Sequence, residues 1–138
     1  MGTEILLGYT GLDALRLLFA AMVAILFLQS GLSKVFGWKG EMEWLTGHFA
    51  NSILKGTVPL LLPVITVIEL SAGVCAAIGG VQVLLHHGAV IGLWGMLLGA
   101  KAIVLLFFGQ RVAKDYAGAA ALVPYFLMCT AGMWVYVS

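Results

Sequence analysis

Long runs of apolar residues, separated by short polar segments, dominate the sequence. A helix that crosses a lipid bilayer needs about 20 mostly apolar residues. Four runs satisfy this requirement, and they predict transmembrane helices over residues 12–36, 58–85, 88–108 and 116–137. Within these runs the apolar residues do not alternate with polar ones, as they do in a membrane β-strand. The pattern therefore favours helices over strands.

The longest polar interruption, residues 37–57, contains a weaker helical pattern of its own. Its larger apolar residues recur at helix-like spacing: Met42, Leu45, Phe49 and Ile53. Trp38 and Trp44 lie in the same segment, and tryptophan favours the boundary between membrane and water. We therefore predict a short helix lying in the membrane interface. The expected fold class is all-α, a polytopic four-helix membrane bundle with this interfacial helix between helices one and two.

Composition excludes most other classes of protein. Charged residues make up only 9% of the 138 residues, whereas a soluble domain has about 25%. A disordered chain is excluded because it needs low hydrophobicity and high charge. The net charge of +1 gives no electrostatic reason to bind nucleic acid. We expect a single domain, residues 1–138, in contact with the lipid bilayer.

The sequence indicates no metal site, because it has only two cysteines and no histidine lies in the middle of a predicted helix. Cys75 and Cys129 fall at comparable depths on helices two and four. They could form a single disulfide, but buried free thiols are the favoured state.

The basic residues predict an orientation in the membrane. One side carries five of them: Lys34, Lys39, Lys55, Arg111 and Lys114. The other side carries Arg16. We therefore expect the connections 37–57 and 109–115 in the cytoplasm and both termini outside. Residues 1–11 have no basic region typical of a signal peptide, so we expect the first helix to be retained.

Two ionisable residues, Glu69 and Lys101, lie deep within apolar helices. An isolated charge at the centre of a helix costs about 2.5–3.5 kcal/mol on insertion scales, so such a residue faces the bundle interior or a partner. At 1.5 Å per residue, Glu69 and Lys101 lie about 16 and about 10 Å from the cytoplasmic ends of their helices. Long side chains can bridge this difference. We therefore predict a Glu69–Lys101 ion pair, which either fixes the packing or belongs to a functional site.

Other polar side chains fall at similar depths in the cytoplasmic half of the bundle. They are Gln29, Ser30, Ser33 and Lys34 of helix one and Tyr125 of helix four. We expect these side chains to form one intramembrane polar layer with the ion pair. For Lys34 and Arg16 the alternative is a side chain that extends to the lipid headgroups.

Helix three carries a stripe of small residues at spacings of four and three, namely Gly88, Gly92, Gly95 and Gly99. Small residues at such spacing allow helices in lipid to approach closely. Lys101 lies about 140° around the helix from this stripe. With Lys101 in the interior, the glycine face would be available to a neighbouring helix or to a second subunit.

Three segments of the chain resemble the DoxX/DoxD-like family of small four-helix membrane proteins. The first is Arg16 followed by FLQSGLSKVFGW, in which Gly31 and Lys34 form a G-x-x-K element. The second is VIELSAGVCAAIGG, in which Glu69 and Gly73 form an E-x-x-x-G element. The third is KDYAGAAALVPYF, which contains Asp115, Tyr116 and Pro124. Their order and spacing match over nearly the whole chain.

The resemblance implies an up-down bundle in the bacterial inner membrane and an association with redox chemistry at the quinone level. The polar positions that it carries over are Arg16, Lys34, Glu69, Asp115 and Tyr116. Members of the family are described as quinone-linked thiosulfate oxidoreductase subunits or as membrane partners of redox enzymes. The implied function is a quinone-linked redox subunit or a membrane partner of an oxidoreductase, with quinone as its ligand and no intrinsic cofactor.

The main alternative is a non-enzymatic accessory or assembly subunit of a larger membrane complex, because no catalytic constellation is visible in the sequence. Its partners would be other membrane subunits or a second copy of the chain. A small transporter is a third interpretation, and it is the least favoured because the chain has no inverted repeat.

Overall fold

The computed structural model describes the backbone of residues 4–6 and 8–138, and side chains from residue 8 onward. Two short antiparallel strands precede five helices: β1 Glu4–Leu6, β2 Tyr9–Thr10, α1 Gly11–Phe36, α2 Trp38–His48, α3 Val58–Leu84, α4 Val90–Val112 and α5 Tyr116–Val137. The expectation that residues 1–11 are not a signal peptide falls in part outside the described residues.

Four of the helices, α1, α3, α4 and α5, are long and apolar enough to cross a membrane. In the bundle, α3 packs extensively against α1 and α4, and α4 packs against α5. A smaller contact between α1 and α5 closes the bundle. The prediction of an all-α polytopic bundle is confirmed, and the protein is an integral membrane protein.

Local sequence signals explain where two of these helices begin. At the start of α1, the hydroxyl of Thr10 accepts a hydrogen bond from the Asp13 amide at 3.1 Å, and the Asp13 carboxylate accepts one from the Thr10 amide at 2.9 Å. This capping box satisfies amides that have no partner within the helix. Asp115 caps α5 in a similar way, since its carboxylate accepts a 2.9 Å hydrogen bond from the Gly118 amide.

Residues 37–57 form the predicted short helix only over the first half of the segment. The helix α2 ends at His48, and Phe49 directly after it is buried. Ile53 lies beyond the helix, with 83% of its surface exposed. The apolar spacing therefore continued past the end of the helix, where residues 50–56 form turns instead.

Two further differences from the sequence-based expectation concern local structure. The helix α4 continues to Val112, beyond its predicted end at 108, so that only residues 113–115 connect it to α5. The added turn includes the polar residues Gln110 and Arg111. In addition, β1 and β2 form a small ladder before α1, where no strands were expected.

The glycine stripe of α4 packs against neighbouring helices of the same chain, which was one of its two expected occupants. The expectation that Lys101 faces the interior is wrong, because Lys101 is exposed on the other side of α4. A Cβ atom on Gly95 would lie 2.6 Å from the backbone nitrogen of Ala76 in α3. A Cβ atom on Gly99 would lie 2.8 Å from the ring of Phe27 in α1. Gly92 packs against the ring of Tyr136 in α5. Close approach of three helices to α4 therefore uses these glycines, whereas Gly88 lies in the preceding turn with a φ of +103°.

We predict that Gly95→Ala destabilises the protein by about 1–3 kcal/mol, because the added methyl group meets backbone atoms of α3 that cannot rotate away. Unfolding of the purified protein in mixed micelles, followed by circular dichroism, measures this change. Gly40→Ala in α2 is the matched control, since nothing lies within 4 Å of its added Cβ. Equal effects of the two substitutions would contradict the prediction.

Candidate functional site

A buried ion pair joins α1 to α3 within the cytoplasmic half assigned from the sequence. The Lys34 ammonium lies 3.0 Å from Oε1 of Glu69, whose side chain is 1% exposed. The same ammonium donates a 2.8 Å hydrogen bond to the hydroxyl of Ser30, one helical turn earlier. Lys34 therefore extends into the bundle and not to the lipid headgroups.

The geometry of the pair leaves hydrogen-bonding capacity unused. Although Lys34 lies at ion-pair distance, Oε1 of Glu69 has no aligned hydrogen-bond donor among the described residues. An ammonium has three N–H donors, and Ser30 and Glu69 account for at most two of those on Lys34. Lys34, which also lines a cavity described below, therefore retains an N–H group that can donate a hydrogen bond to a ligand.

Two glycines allow the ion pair to form. A Cβ atom on Gly31 of α1 would lie 2.7 Å from Cγ of Leu70, and one on Gly73 of α3 would lie 2.9 Å from the backbone nitrogen of Leu28. The helices thus cross at close range directly beside Lys34 and Glu69. The G-x-x-K and E-x-x-x-G elements of the sequence are the two halves of this one crossing.

The predicted Glu69–Lys101 ion pair is wrong. Lys101 lies on the exposed face of α4, and Glu69 pairs with Lys34 instead. The depths nevertheless agree, because the contact of Gly95 with Ala76 places Glu69 nearly level with Lys101 across α3 and α4. The error was in the direction of the side chain, since close packing of the glycine stripe turns Lys101 outward.

The wider polar layer predicted from the sequence is also only partly formed. Gln29 and Ser33 lie on the exposed face of α1, and Tyr125 is 41% exposed on α5. On α1, Ser30 and Lys34 share the inward face with the buried Phe27. Ser33 and Gln29 point about 90° and about 130° away from the centre of this face. Of the four helices, α1 and α3 therefore supply the inward-facing members of the predicted layer, namely Ser30, Lys34 and Glu69.

A cavity of about 380 Å³ lies beside the ion pair, between α2, α3 and α4. Lys34 lines it, together with Glu41 and Gln110, and the remaining lining side chains are mainly apolar. Val64 and Leu105 on its wall are nearly half exposed. The cavity therefore opens between α3 and α4 towards the apolar outer surface.

The end of α2 is held in place over this cavity by a polar contact that the sequence did not reveal. His48 lies 2.6 Å from the side-chain oxygen of Gln110 on α4 and 3.7 Å from the carboxylate of Asp115. The ring of Trp44 stacks on His48 at 4.5 Å between centroids. Next to it, Phe49 packs on Gly109. Trp44 of α2 and Phe49, directly after this helix, thus close one side of the cavity.

The other polar positions of the family resemblance do not join this site. Arg16 lies at the opposite end of the bundle, where its guanidinium donates hydrogen bonds to the carbonyl oxygens of Val135 and Ser138 at 3.3 and 3.0 Å. Asp115 is the cap of α5 described above. The ring of Tyr116 lies 4.5 Å below the guanidinium carbon of Arg111. These residues connect the ends of helices.

Both cysteines are free thiols, with Cys129 buried and Cys75 partly buried. Within residues 4–6 and 8–138, no group of three or more His, Cys, Asp or Glu side chains could hold a metal ion. Comparison of the chain with protein-family models, with curated proteins and with solved structures gives no match.

We predict that Lys34→Met lowers the free energy of unfolding by about 3 kcal/mol, because it leaves the Glu69 carboxylate buried without its counter-ion. The double variant Lys34→Met, Glu69→Met should recover most of this loss. Lys101→Met is the matched control, since it removes an exposed lysine at a similar depth. Unfolding in mixed micelles measures the free energy of unfolding of all three variants. If the loss in the double variant equalled the sum of the losses from Lys34→Met and Glu69→Met alone, the ion pair would be contradicted.

Proposed function

We propose that the protein is a quinone-binding membrane subunit that serves a partner oxidoreductase. The observation that carries the proposal is the apolar cavity beside the Lys34–Glu69 pair. Its volume of about 380 Å³ falls in the range of small-molecule sites, about 300–1,000 Å³, and such sites combine apolar walls with a few polar groups. A quinone matches this lining, because its ring and tail are apolar and its two carbonyl oxygens accept hydrogen bonds.

The position of the cavity supports a ligand that is dissolved in the bilayer. Its opening between α3 and α4 is bordered by exposed apolar residues, including Leu105 and Phe108. A quinone can therefore enter sideways from the lipid without passing through water. The resemblance of the chain to the DoxX/DoxD-like family leads to the same ligand class.

In this proposal Lys34 donates a hydrogen bond to one carbonyl oxygen of the quinone, and Glu69 holds the ammonium in position as its counter-ion. Conversion of a quinone to its quinol adds two electrons and two protons. The reduced cofactor of the partner oxidoreductase supplies the electrons and is itself oxidised. Water on the cytoplasmic side supplies the protons, one to each carbonyl oxygen.

We predict that the purified protein in lipid nanodiscs binds a tritiated short-chain quinone and that Lys34→Met weakens binding about 10- to 100-fold. This range corresponds to the loss of a hydrogen bond to a charged donor. Because Lys34 also stabilises the fold, a second variant tests the cavity directly. Leu105→Trp fills the cavity at its exposed edge and should abolish binding.

Val104→Trp is the matched control for the second variant. Val104 is the adjacent exposed residue, and it lines a different groove, between α4 and α5. Equal binding by the Leu105→Trp and Val104→Trp variants would place the ligand elsewhere. No binding of quinone to the unaltered protein would reject the proposed function.

We further propose that the connections 37–57 and 113–115 lie in the cytoplasm of a bacterial inner membrane. The contacts of His48 with Gln110 and Asp115 place both connections on one side. That side carries most of the basic residues, which favours a cytoplasmic location.

Single cysteines introduced into a Cys75→Ala, Cys129→Ala background test this orientation. We expect a membrane-impermeant maleimide to label His87→Cys in intact cells and to label Lys55→Cys only after the cells are permeabilised. Both positions are exposed, so the reagent can reach each of them from its own side. The reverse labelling pattern would show the opposite orientation.

A further inference from the structure

Lys101 lies at the middle of a membrane-spanning helix. It is 11 positions along the chain from Val90 at one end of α4 and 11 from Val112 at the other. At 1.5 Å per residue, its Cα atom is about 16 Å from either end. The hydrocarbon core of a bilayer is about 30 Å thick, so Lys101 lies near the bilayer midplane.

The side chain of Lys101 points out of the bundle. It lies on the exposed face of α4, opposite the glycine stripe, and shares this face with Trp94, Val104 and Leu105. Among the residues that the structure describes, the ion pairs are those of Arg16, Lys34 and His48, and none includes Lys101. We call the surface formed by Trp94, Lys101, Val104 and Leu105 the Lys101 face.

An ammonium group in this position needs a partner that the chain itself does not supply. A lysine near the end of a transmembrane helix extends to the headgroups, but from the midplane the distance is far longer than a lysine side chain. Ionisable residues inside membranes pair with another group or face water. Glu69, the acid at a similar depth, is buried against Lys34 and unavailable.

We propose that the Lys101 face is the docking surface for a transmembrane helix of a different protein, which carries an aspartate or glutamate at the bilayer midplane. Charge complementarity selects this occupant, because a carboxylate would neutralise Lys101 and accept its hydrogen bonds in a medium of low dielectric constant. The apolar residues around Lys101 would pack against the rest of the partner helix.

A second copy of this chain does not fit the same surface. Two Lys101 faces brought together would place two positive charges near each other. The other acids with described side chains lie near helix ends or in α2, namely Asp13, Glu41, Glu43 and Asp115. A second copy therefore offers no free carboxylate at the depth of Lys101 within the described part of the chain.

This inference does not rest on quinone binding, and its test contains no quinone. The protein, labelled with a fluorescence donor, is reconstituted into phosphatidylcholine vesicles with an acceptor-labelled polyleucine transmembrane peptide. One peptide carries a single glutamate at its centre, a second carries leucine there, and a third carries the glutamate near one end. Energy transfer at increasing peptide density measures association.

We expect the peptide with the central glutamate to associate at least tenfold more strongly than either control peptide. Lys101→Met should remove this preference, Lys101→Arg should retain it because the charge remains, and Gln29→Met on the exposed face of α1 should leave it unchanged. Retention of the preference in Lys101→Met, or equal association of all three peptides, would overturn the proposal. A further result would also overturn the proposal: energy transfer between donor- and acceptor-labelled copies of the protein itself, if Lys101→Met abolished it. That result would show that a second copy occupies the Lys101 face.

Discussion

The structure depends on a buried carboxylate that has its counter-ion on a neighbouring helix. Glu69 is 1% exposed in an apolar bundle, and Lys34 lies 3.0 Å from it. In a medium of low dielectric constant, loss of either partner leaves the other uncompensated, so the pair fixes the alignment of α1 on α3. Gly31 and Gly73 permit the close crossing that brings the two side chains together. The lysine that is the counter-ion of this acid also lines the adjacent cavity, which links the stability of the bundle to its candidate site.

The cavity is a product of long-range packing. Residues of α1, α2, α3 and α4 line it, and α2 covers one side through the contact of His48 with Gln110. Phe49 occupies space beside Gly109, at the end of the bundle that α2 covers. At the other end of the bundle, Gly79 and Gly92 hold the backbones of the same two helices in direct contact. The two helices are therefore tightly joined at one end and separated by aromatic and aliphatic side chains at the other.

Hydropathy predicted the number and approximate extent of the spanning helices because the bilayer imposes length and composition directly. It also placed Glu69 and Lys101 at matching depths, since depth follows from helical rise. The direction in which each side chain points could not be predicted in the same way. The glycine stripe and Lys101 lie on different sides of α4, and periodicity does not show which side a neighbouring helix covers. Lys34 pairs with Glu69, and His48 pairs with Gln110, across many intervening residues of the chain. A single sequence carries no information on the distance in space between such residues.

The position of α2 ties the candidate site to the state of the surrounding lipid. Trp44 is 59% exposed on one side of this helix and lines the cavity as well. Lateral pressure in the headgroup region acts on such a helix. A displacement of α2 would change the width of the cavity that α2 covers. A change in the phospholipid composition of the monolayer would therefore alter access to the cavity without any change in the residues that line it.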